Sequence, residues 1–203
     1  MKAHLFKLSK FFLFSIAIAA LVASFIVAGV RRVAADDKKD NTATVPPKVG
    51  ETAPDFRLPY ATQEAIHLKP EEQMALSSLR GKNVILAFYP ADWSGGCTKE
   101  VCTLRDTFAE LSKLNATVLG ISGDYVFSHQ EWAKFHKLQF PLLSDHDHKV
   151  ARLYGSYNEK VGFNNRTIFL LDKDGVVRYS NLQFKAGDAN DYNKLKEELA
   201  KLN

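Results

Sequence analysis

Cysteine is scarce in this sequence. Only Cys97 and Cys102 occur among its 203 residues, which is too few for a fold held together by several disulfide bonds. The hydrophobic fraction of 46% is ordinary, and no internal repeat is visible. We therefore expect one globular domain with a conventional hydrophobic core and some appended sequence.

Most of the chain also lacks an excess of basic over acidic residues. The formal net charge is +4, but five of the 27 lysines and arginines precede residue 36, whereas all 23 acidic residues follow Ala35. Residues 36–203 therefore carry 22 basic and 23 acidic side chains, a net charge of −1. This balance predicts no nucleic-acid partner.

Long apolar runs are absent except at residues 11–30, which are uncharged and about long enough to cross a bilayer as a helix. Basic residues before the run favour a cytoplasmic N-terminus and export of the remainder of the chain. Two interpretations are open: an uncleaved anchor, favoured by the length of the run, or a signal peptide cleaved near Val33-Ala34-Ala35. We expect a single-pass protein of the cell membrane with an extracytoplasmic (periplasmic) domain, or a protein secreted to the periplasm if cleavage occurs.

The rest of the chain divides in two. Residues 1–35 would form the signal or anchor, and residues 36–49 are polar, contain two prolines and read as a flexible linker. Residues 50–203 would form the globular domain. Within it, Lys69–Met74 predicts a surface excursion.

The chemistry is concentrated in Phe88–Arg105 (FYPADWSGGCTKEVCTLR), which holds both cysteines. The apolar run Asn83–Tyr89 predicts a buried strand. After Cys97, apolar residues recur every three or four positions as far as Leu114, which predicts an amphipathic helix. With Gly95-Gly96 as the turn, Cys97 would lie in the first helical turn, where unpaired backbone N–H groups and the helix dipole favour a thiolate.

Further strands and helices alternate beyond this stretch. Ala116–Ser122 predicts a second buried strand, followed by a helix that begins with Ser128 as N-cap. Thr167–Asp172 and Val176–Ser180 predict a hairpin, and Asp191–Leu202 a closing amphipathic helix. This order predicts an α/β fold with a three-layer α/β/α sandwich.

Four residues carry a resemblance to a known family. Pro90, Ser94 and Cys97 match the P-x-x-x-[T/S]-x-x-C motif of peroxiredoxins, and Glu100 matches a glutamate that commonly follows it. With Cys102 five residues after Cys97, the stretch is similar to the bacterioferritin-comigratory-protein, or PrxQ, branch. The resemblance covers about residues 50–203 and implies a thioredoxin-like fold.

The resemblance also implies roles for individual residues. Cys97 would be the peroxidatic nucleophile, and Arg166 the arginine that stabilises its thiolate and binds the peroxide. Ser94 would hydrogen-bond peroxide and thiolate, and Pro90 would shield the site from water. Glu100 would orient an arginine, although an exposed position in the first helical turn is an open alternative.

Cys102 would be the resolving cysteine, with a place in the hydrophobic core as the alternative. On an unbroken helix, residues five apart have Cα atoms about 8–9 Å apart. A disulfide tolerates at most about 7 Å. Bond formation with Cys97 therefore requires the first turns of the helix to unwind after Cys97 is oxidised to sulfenic acid.

These inferences predict a thiol-dependent peroxidase for hydrogen peroxide and organic hydroperoxides. The resemblance implies a monomer that is reduced by a thioredoxin-like protein dithiol and uses no metal, haem or flavin. One alternative is a membrane-tethered thiol–disulfide oxidoreductase, disfavoured because such enzymes use C-x-x-C. Another is a binding module without enzymatic activity.

Overall fold

The computed structural model describes residues 45–203. The apolar run of residues 11–30 and most of the predicted linker lie outside the described residues. No helix within residues 45–203 is long and apolar enough to span a bilayer. The predicted domain start at residue 50 stays a prediction.

The described chain alternates short strands with helices. The strands are β1 (Arg57–Leu58), β2 (Tyr60–Ala61), β3 (Ile66–His67), β4 (Met74–Ala75), β5 (Asn83–Phe88), β6 (Ala116–Ser122), β7 (Leu142–Ser144), β8 (Tyr157–Asn158), β9 (Phe163–Asn164), β10 (Thr167–Leu171) and β11 (Val177–Asn181). The helices are α1 (Gly95–Asp106), α2 (Phe108–Lys113), α3 (Val126–His136), α4 (Lys149–Leu153) and α5 (Ala189–Ala200), with a 3-10 turn at Leu76–Leu79.

A seven-stranded mixed sheet organises the domain, in the order β11-β10-β5-β6-β7-β2-β3. The central pairs β5–β6 and β6–β7 are parallel, and β10 pairs antiparallel with β5. Because a parallel connection needs a crossover, the chain between β5 and β6 passes through α1 and α2. This crossover places the N-terminus of α1 at the carboxyl end of the buried central strand β5.

Alternate residues of β5 supply the cores on the two faces of the sheet. Ile85 and Ala87 pack with side chains of α1, α2, α3 and α5 in one cluster of buried residues. Leu86 and Phe88 belong to the second cluster, which is covered by α4, the 3-10 turn and the segment before β1. The predicted α/β fold is confirmed, although the second outer layer contains only short helices.

Two helix predictions need correction. The predicted continuous helix from Cys97 to Leu114 divides at Thr107, whose hydroxyl donates to the carbonyl oxygens of Thr103 at 2.9 Å and Leu104 at 3.3 Å. Such side-chain bonds to the preceding turn bend or interrupt helices. The predicted N-cap Ser128 is also wrong, because α3 begins at Val126 with Tyr125 as its N-cap, three residues before Ser128.

Candidate active site

The N-terminus of α1 fixes the position of the first cysteine. Ser94 is the N-cap, and its hydroxyl accepts a hydrogen bond from the backbone N–H of Cys97 at 3.4 Å. Cys97 lies in the first turn of α1, as predicted, and its side chain is completely buried. The free N–H groups and positive dipole end of this turn stabilise a thiolate more than a thiol.

Arg166 meets the sulfur of Cys97 although the two residues are 69 positions apart. Its Nη2 donates to Cys97 Sγ at 3.2 Å. The pairing of Thr167 with Phe88 explains the approach, because it brings the start of β10 beside the end of β5. Gly96 leaves the necessary space, since a Cβ atom there would lie 2.7 Å from Nη2.

Glu100 holds the opposite side of the same guanidinium. Arg166 Nη1 donates to Glu100 Oε2 at 2.5 Å, and the glutamate side chain is completely buried. The alternative of an exposed first-turn glutamate is therefore wrong. Burial raises the pKa of Glu100 to about 7, even though Arg166 acts in the opposite direction. Its Oε1 is buried without a hydrogen-bond partner among residues 45–203.

The guanidinium remains a fixed positive charge between the two groups. Burial alone would lower the pKa of Arg166, but Glu100 and Cys97 raise it above its ordinary value. A planar fork that binds a carboxylate on one side and a sulfur on the other has little freedom to turn away. The arrangement can therefore stabilise a thiolate at Cys97 and present a cation to an oxygen that approaches the sulfur.

The other two motif residues lie in the loop between β5 and α1. Pro90 is half-buried directly after β5. The Ser94 hydroxyl donates to the carbonyl of Ala91 at 3.2 Å and accepts from the Cys97 N–H. In this structure Ser94 thus serves as the helix cap, and its contact with thiolate and peroxide stays a prediction.

Cys102 lies in separate surroundings. It is on the same unbroken helix as Cys97, partly buried at the margin of the core, and both cysteines are free thiols. Its Sγ is 3.6 Å from Nδ1 of His136 on α3. The structure therefore gathers Cys97, Arg166 and Glu100 at one point and leaves Cys102 outside it.

A buried polar cluster that the sequence analysis missed fixes the loop before α1. The Asp92 carboxylate accepts hydrogen bonds from Tyr89 at 2.9 Å and from Ser128 at 2.7 Å, and lies 2.9 Å from Nδ1 of His129. His129 is completely buried, and its Nε2 faces the carbonyl of Leu143 at 3.2 Å. These contacts tie the loop to α3 and hold the cap of α1 in place.

The position of His129 in the sequence could have predicted part of this cluster. His129 falls three residues after Val126 and four before Ala133, both of which are buried, so it lies on the inward face of α3. A histidine on an apolar helix face needs a buried polar partner. The sequence does not say that the partner is Asp92.

The fold and the site together are typical of a thiol enzyme with a thioredoxin-like fold: a mixed sheet carries a cysteine in the first turn of a helix, and an arginine contacts its sulfur. Comparison with known proteins identifies the family. The AhpC/TSA family pattern matches residues 49–180 of the chain. A protein of Coxiella burnetii named as a peroxiredoxin of the bcp type is 44% identical over 136 residues, spanning 64% of this chain and 85% of the relative. The chain belongs to the AhpC/TSA family, in the Bcp and peroxiredoxin Q branch, and is a thiol peroxidase.

Plant relatives and solved structures agree with this assignment. The chloroplastic peroxiredoxin Q of japonica rice is 41% identical over 138 residues, which cover 67% of this chain and 60% of the rice protein. The crystal structure of peroxidoxin BcpB from Mycobacterium tuberculosis is 31% identical, with a TM-score of 0.66 over 77% of this chain and 99% of that one. Enterococcus faecalis AhpC, at 24% identity and a TM-score of 0.67 over 76% and 92%, shares the fold.

The comparison contradicts the predicted location. Relatives from rice and wheat are named as chloroplastic proteins, not as membrane-anchored or periplasmic ones. Residues 45–203 contain no helix able to cross a membrane. The assignment to a cell membrane with an extracytoplasmic domain was wrong, because it was drawn only from the apolar run of residues 11–30 and the basic residues before it.

Proposed function

We propose that this chain reduces hydrogen peroxide and organic hydroperoxides through a sulfenic acid at Cys97, which Cys102 resolves as an intramolecular disulfide. The observation that carries the proposal is the 3.2 Å contact between Arg166 Nη2 and Cys97 Sγ at the first turn of α1. Charge and helix dipole there favour the thiolate, the form of cysteine that attacks peroxide.

In the first step, the Cys97 thiolate attacks one oxygen of the peroxide. A sulfur–oxygen bond forms, the O–O bond breaks, and the leaving oxygen departs as water or an alcohol after taking up a proton. The guanidinium of Arg166, held by Glu100, stabilises the negative charge that develops on that oxygen. Ser94 would assist by hydrogen-bonding the peroxide.

In the second step, the Cys102 sulfur attacks the sulfenic sulfur and displaces its hydroxyl group as water. Both cysteines lie on α1, five residues apart on an unbroken helix, so their Cα atoms are too far apart for a disulfide. The first turns of α1 must therefore unwind before the sulfurs can bond. A thioredoxin-like protein dithiol then supplies two electrons to reduce the disulfide.

The direct test is peroxide consumption with a protein dithiol as reductant. Cys97→Ser should abolish the reaction, because a serine hydroxyl has no anionic form near neutral pH. Cys102→Ser, the same replacement five residues away, is the matched control: it should retain a single stoichiometric reaction with peroxide and lose turnover. The oxidised wild type should run as a monomer on non-reducing gels.

The outcomes separate the rival functions. Appreciable turnover by Cys97→Ser would overturn the proposal. Reduction of protein disulfides by the wild type without peroxide consumption would favour a thiol–disulfide oxidoreductase. Absence of both activities would favour a binding module. A predominantly intermolecular Cys97 disulfide would contradict the intramolecular scheme and the monomer.

A further inference from the structure

His136 is the last residue of α3 and lies against the second cysteine. Its Nδ1 is 3.6 Å from Cys102 Sγ, a distance suited to a hydrogen bond that involves sulfur. The arginine that activates Cys97 contacts that sulfur and Glu100, not Cys102. In the proposed function, Cys102 must also lose its proton before it attacks. A separate proton acceptor beside Cys102 would accelerate this loss.

The imidazole is held in place from several sides. Trp132 meets it edge-on, with ring centroids 5.8 Å apart at 89°, and Phe135 packs at 4.9 Å and 83°. Trp93 approaches to 6.5 Å from the loop before α1. The end of α3 is fixed as well, because Arg105 Nη1 donates to the carbonyl oxygen of His136 at 2.7 Å.

The charges around the ring favour its neutral form. Partial burial and the nearby Arg105 guanidinium lower the pKa of His136 below its ordinary value. Arg105 is itself paired with Asp106 at 2.7 Å. Arg105 and Cys102, both on α1, are ionisable groups that act on or contact the ring. A neutral imidazole can accept a proton at Nδ1.

We infer that His136 is the catalytic base of the resolving step, taking the proton of the Cys102 thiol through Nδ1. The inference rests on the proposed function. The S–H bond of Cys102 breaks, its electron pair attacks the sulfenic sulfur of Cys97, and the S–S bond forms as the S–O bond breaks. The departing hydroxide takes up a proton, directly or through water from the imidazolium, so the step releases one water molecule.

The size of the effect has a ceiling. An ordinary cysteine thiol has a pKa near 8.5, so about 3% of such thiols are ionised at pH 7. Complete ionisation can accelerate the attack by at most about thirtyfold at that pH. We expect His136→Gln to slow disulfide formation about tenfold at pH 7, and the defect to shrink toward pH 9, because hydroxide then replaces the imidazole as the proton acceptor.

The first measurement follows peroxide attack and disulfide formation as separate phases of one turnover. His136→Gln should leave the attack rate unchanged and slow only the second phase. His67→Gln is the matched control, since His67 lies on β3 and stacks on Tyr60. His136→Ala should be slowed in the same way and be rescued by added imidazole. Equal slowing at pH 7 and pH 9 would indicate a packing role and overturn the inference.

The second measurement does not depend on peroxidase activity. In a Cys97→Ser background, iodoacetamide alkylates Cys102 alone, because the chain has no other cysteine. His136→Gln should slow this alkylation several-fold at pH 7 and little near pH 9. Identical curves with and without His136 would overturn the inference even if the peroxidase works. If the alkylation effect appears but peroxide is not consumed, the proposed function fails instead.

Discussion

The two cysteines lie on one helix but differ in their burial and in the side chain that contacts each sulfur. Cys97 is completely buried beside the permanent charge of Arg166, whereas Cys102 is partly buried beside an imidazole whose pKa is lowered by burial and by Arg105. A fixed cation favours a thiolate at all times, while a neutral base removes a proton only when the thiol reacts. The difference suits a pair in which one sulfur must meet peroxide first and the other must wait.

The largest effect that we expect is on the helix that joins the two sites. If Cys102 resolves Cys97 beside His136, residues 97–101 must unwind, which breaks the hydrogen bonds that the amides of Thr98–Leu104 donate to the carbonyls four residues earlier. Suppose that opening this segment costs about 4 kcal/mol in the reduced protein and nothing in the oxidised protein. Its amides should then exchange about a thousandfold faster in the oxidised protein. Hydrogen exchange of both redox states measures this directly.

Strand β10 supplies the control for that experiment, because its amides pair with the central strand β5 and should stay protected in both states. Equal protection of Thr98–Leu104 before and after oxidation would mean that the helix stays folded. The cysteines would then remain in their separate surroundings, and resolution would have to follow another route.

Removing the fixed charge should have the next largest effect. Arg166→Ala deletes the cation beside Cys97, and loss of one preorganised charge-stabilising donor typically slows a reaction about 10²–10³-fold. The rate of Cys97 oxidation in a single turnover measures this loss, and iodoacetamide alkylation of Cys97 at pH 7 should slow as well. Alkylation of Cys102 should not change.

Arg178→Ala is the matched control, because Arg178 pairs with Asp172 at the surface of β11. It should react with peroxide at the wild-type rate. If Arg166→Ala behaves in the same way, Arg166 is an ordinary arginine at the start of a strand, and the two cysteines do not differ in their activation.

The smallest effect concerns stability. Because the folded-state pKa of Glu100 is raised from 4.5 to about 7, the native protein retains a proton that the unfolded chain releases. The stabilisation from Glu100 is therefore full below about pH 4.5 and is lost as pH rises through about 7, by about 3 kcal/mol in total. Glu100→Gln should remove this dependence.

Urea unfolding between pH 4 and about 8 tests that prediction. The free energy of unfolding of the wild type, minus that of Glu100→Gln, should fall as pH rises. Glu131→Gln serves as the control, since Glu131 is exposed and pairs with Lys134 at the surface. Parallel curves for wild type and Glu100→Gln would mean that the pKa of Glu100 is the same in the folded and unfolded states, so that burial does not raise it.

Local sequence patterns correctly predicted several strands and helices of the fold. The predicted strand Asn83–Tyr89 is observed as Asn83–Phe88, and the predicted last helix Asp191–Leu202 as Ala189–Ala200. Both predictions rest on hydrophobic periodicity, which can be read from residues that are close together in the sequence. The predicted N-cap at Ser128 was wrong because of a long-range contact. The Ser128 hydroxyl donates a hydrogen bond to the carboxylate of Asp92, which is 36 residues away in the sequence.

Local sequence is enough to place Cys97 in the first turn of a helix after a buried strand, because a short apolar run, two glycines and a helical repeat involve only neighbouring residues. Which side chains contact the two sulfurs depends on the tertiary structure. The pairing of β10 with β5 brings Arg166 to Cys97, and the packing of α3 on the domain brings His136 to Cys102. Contacts across 69 and 34 residues depend on strand order and helix docking, which no local periodicity specifies.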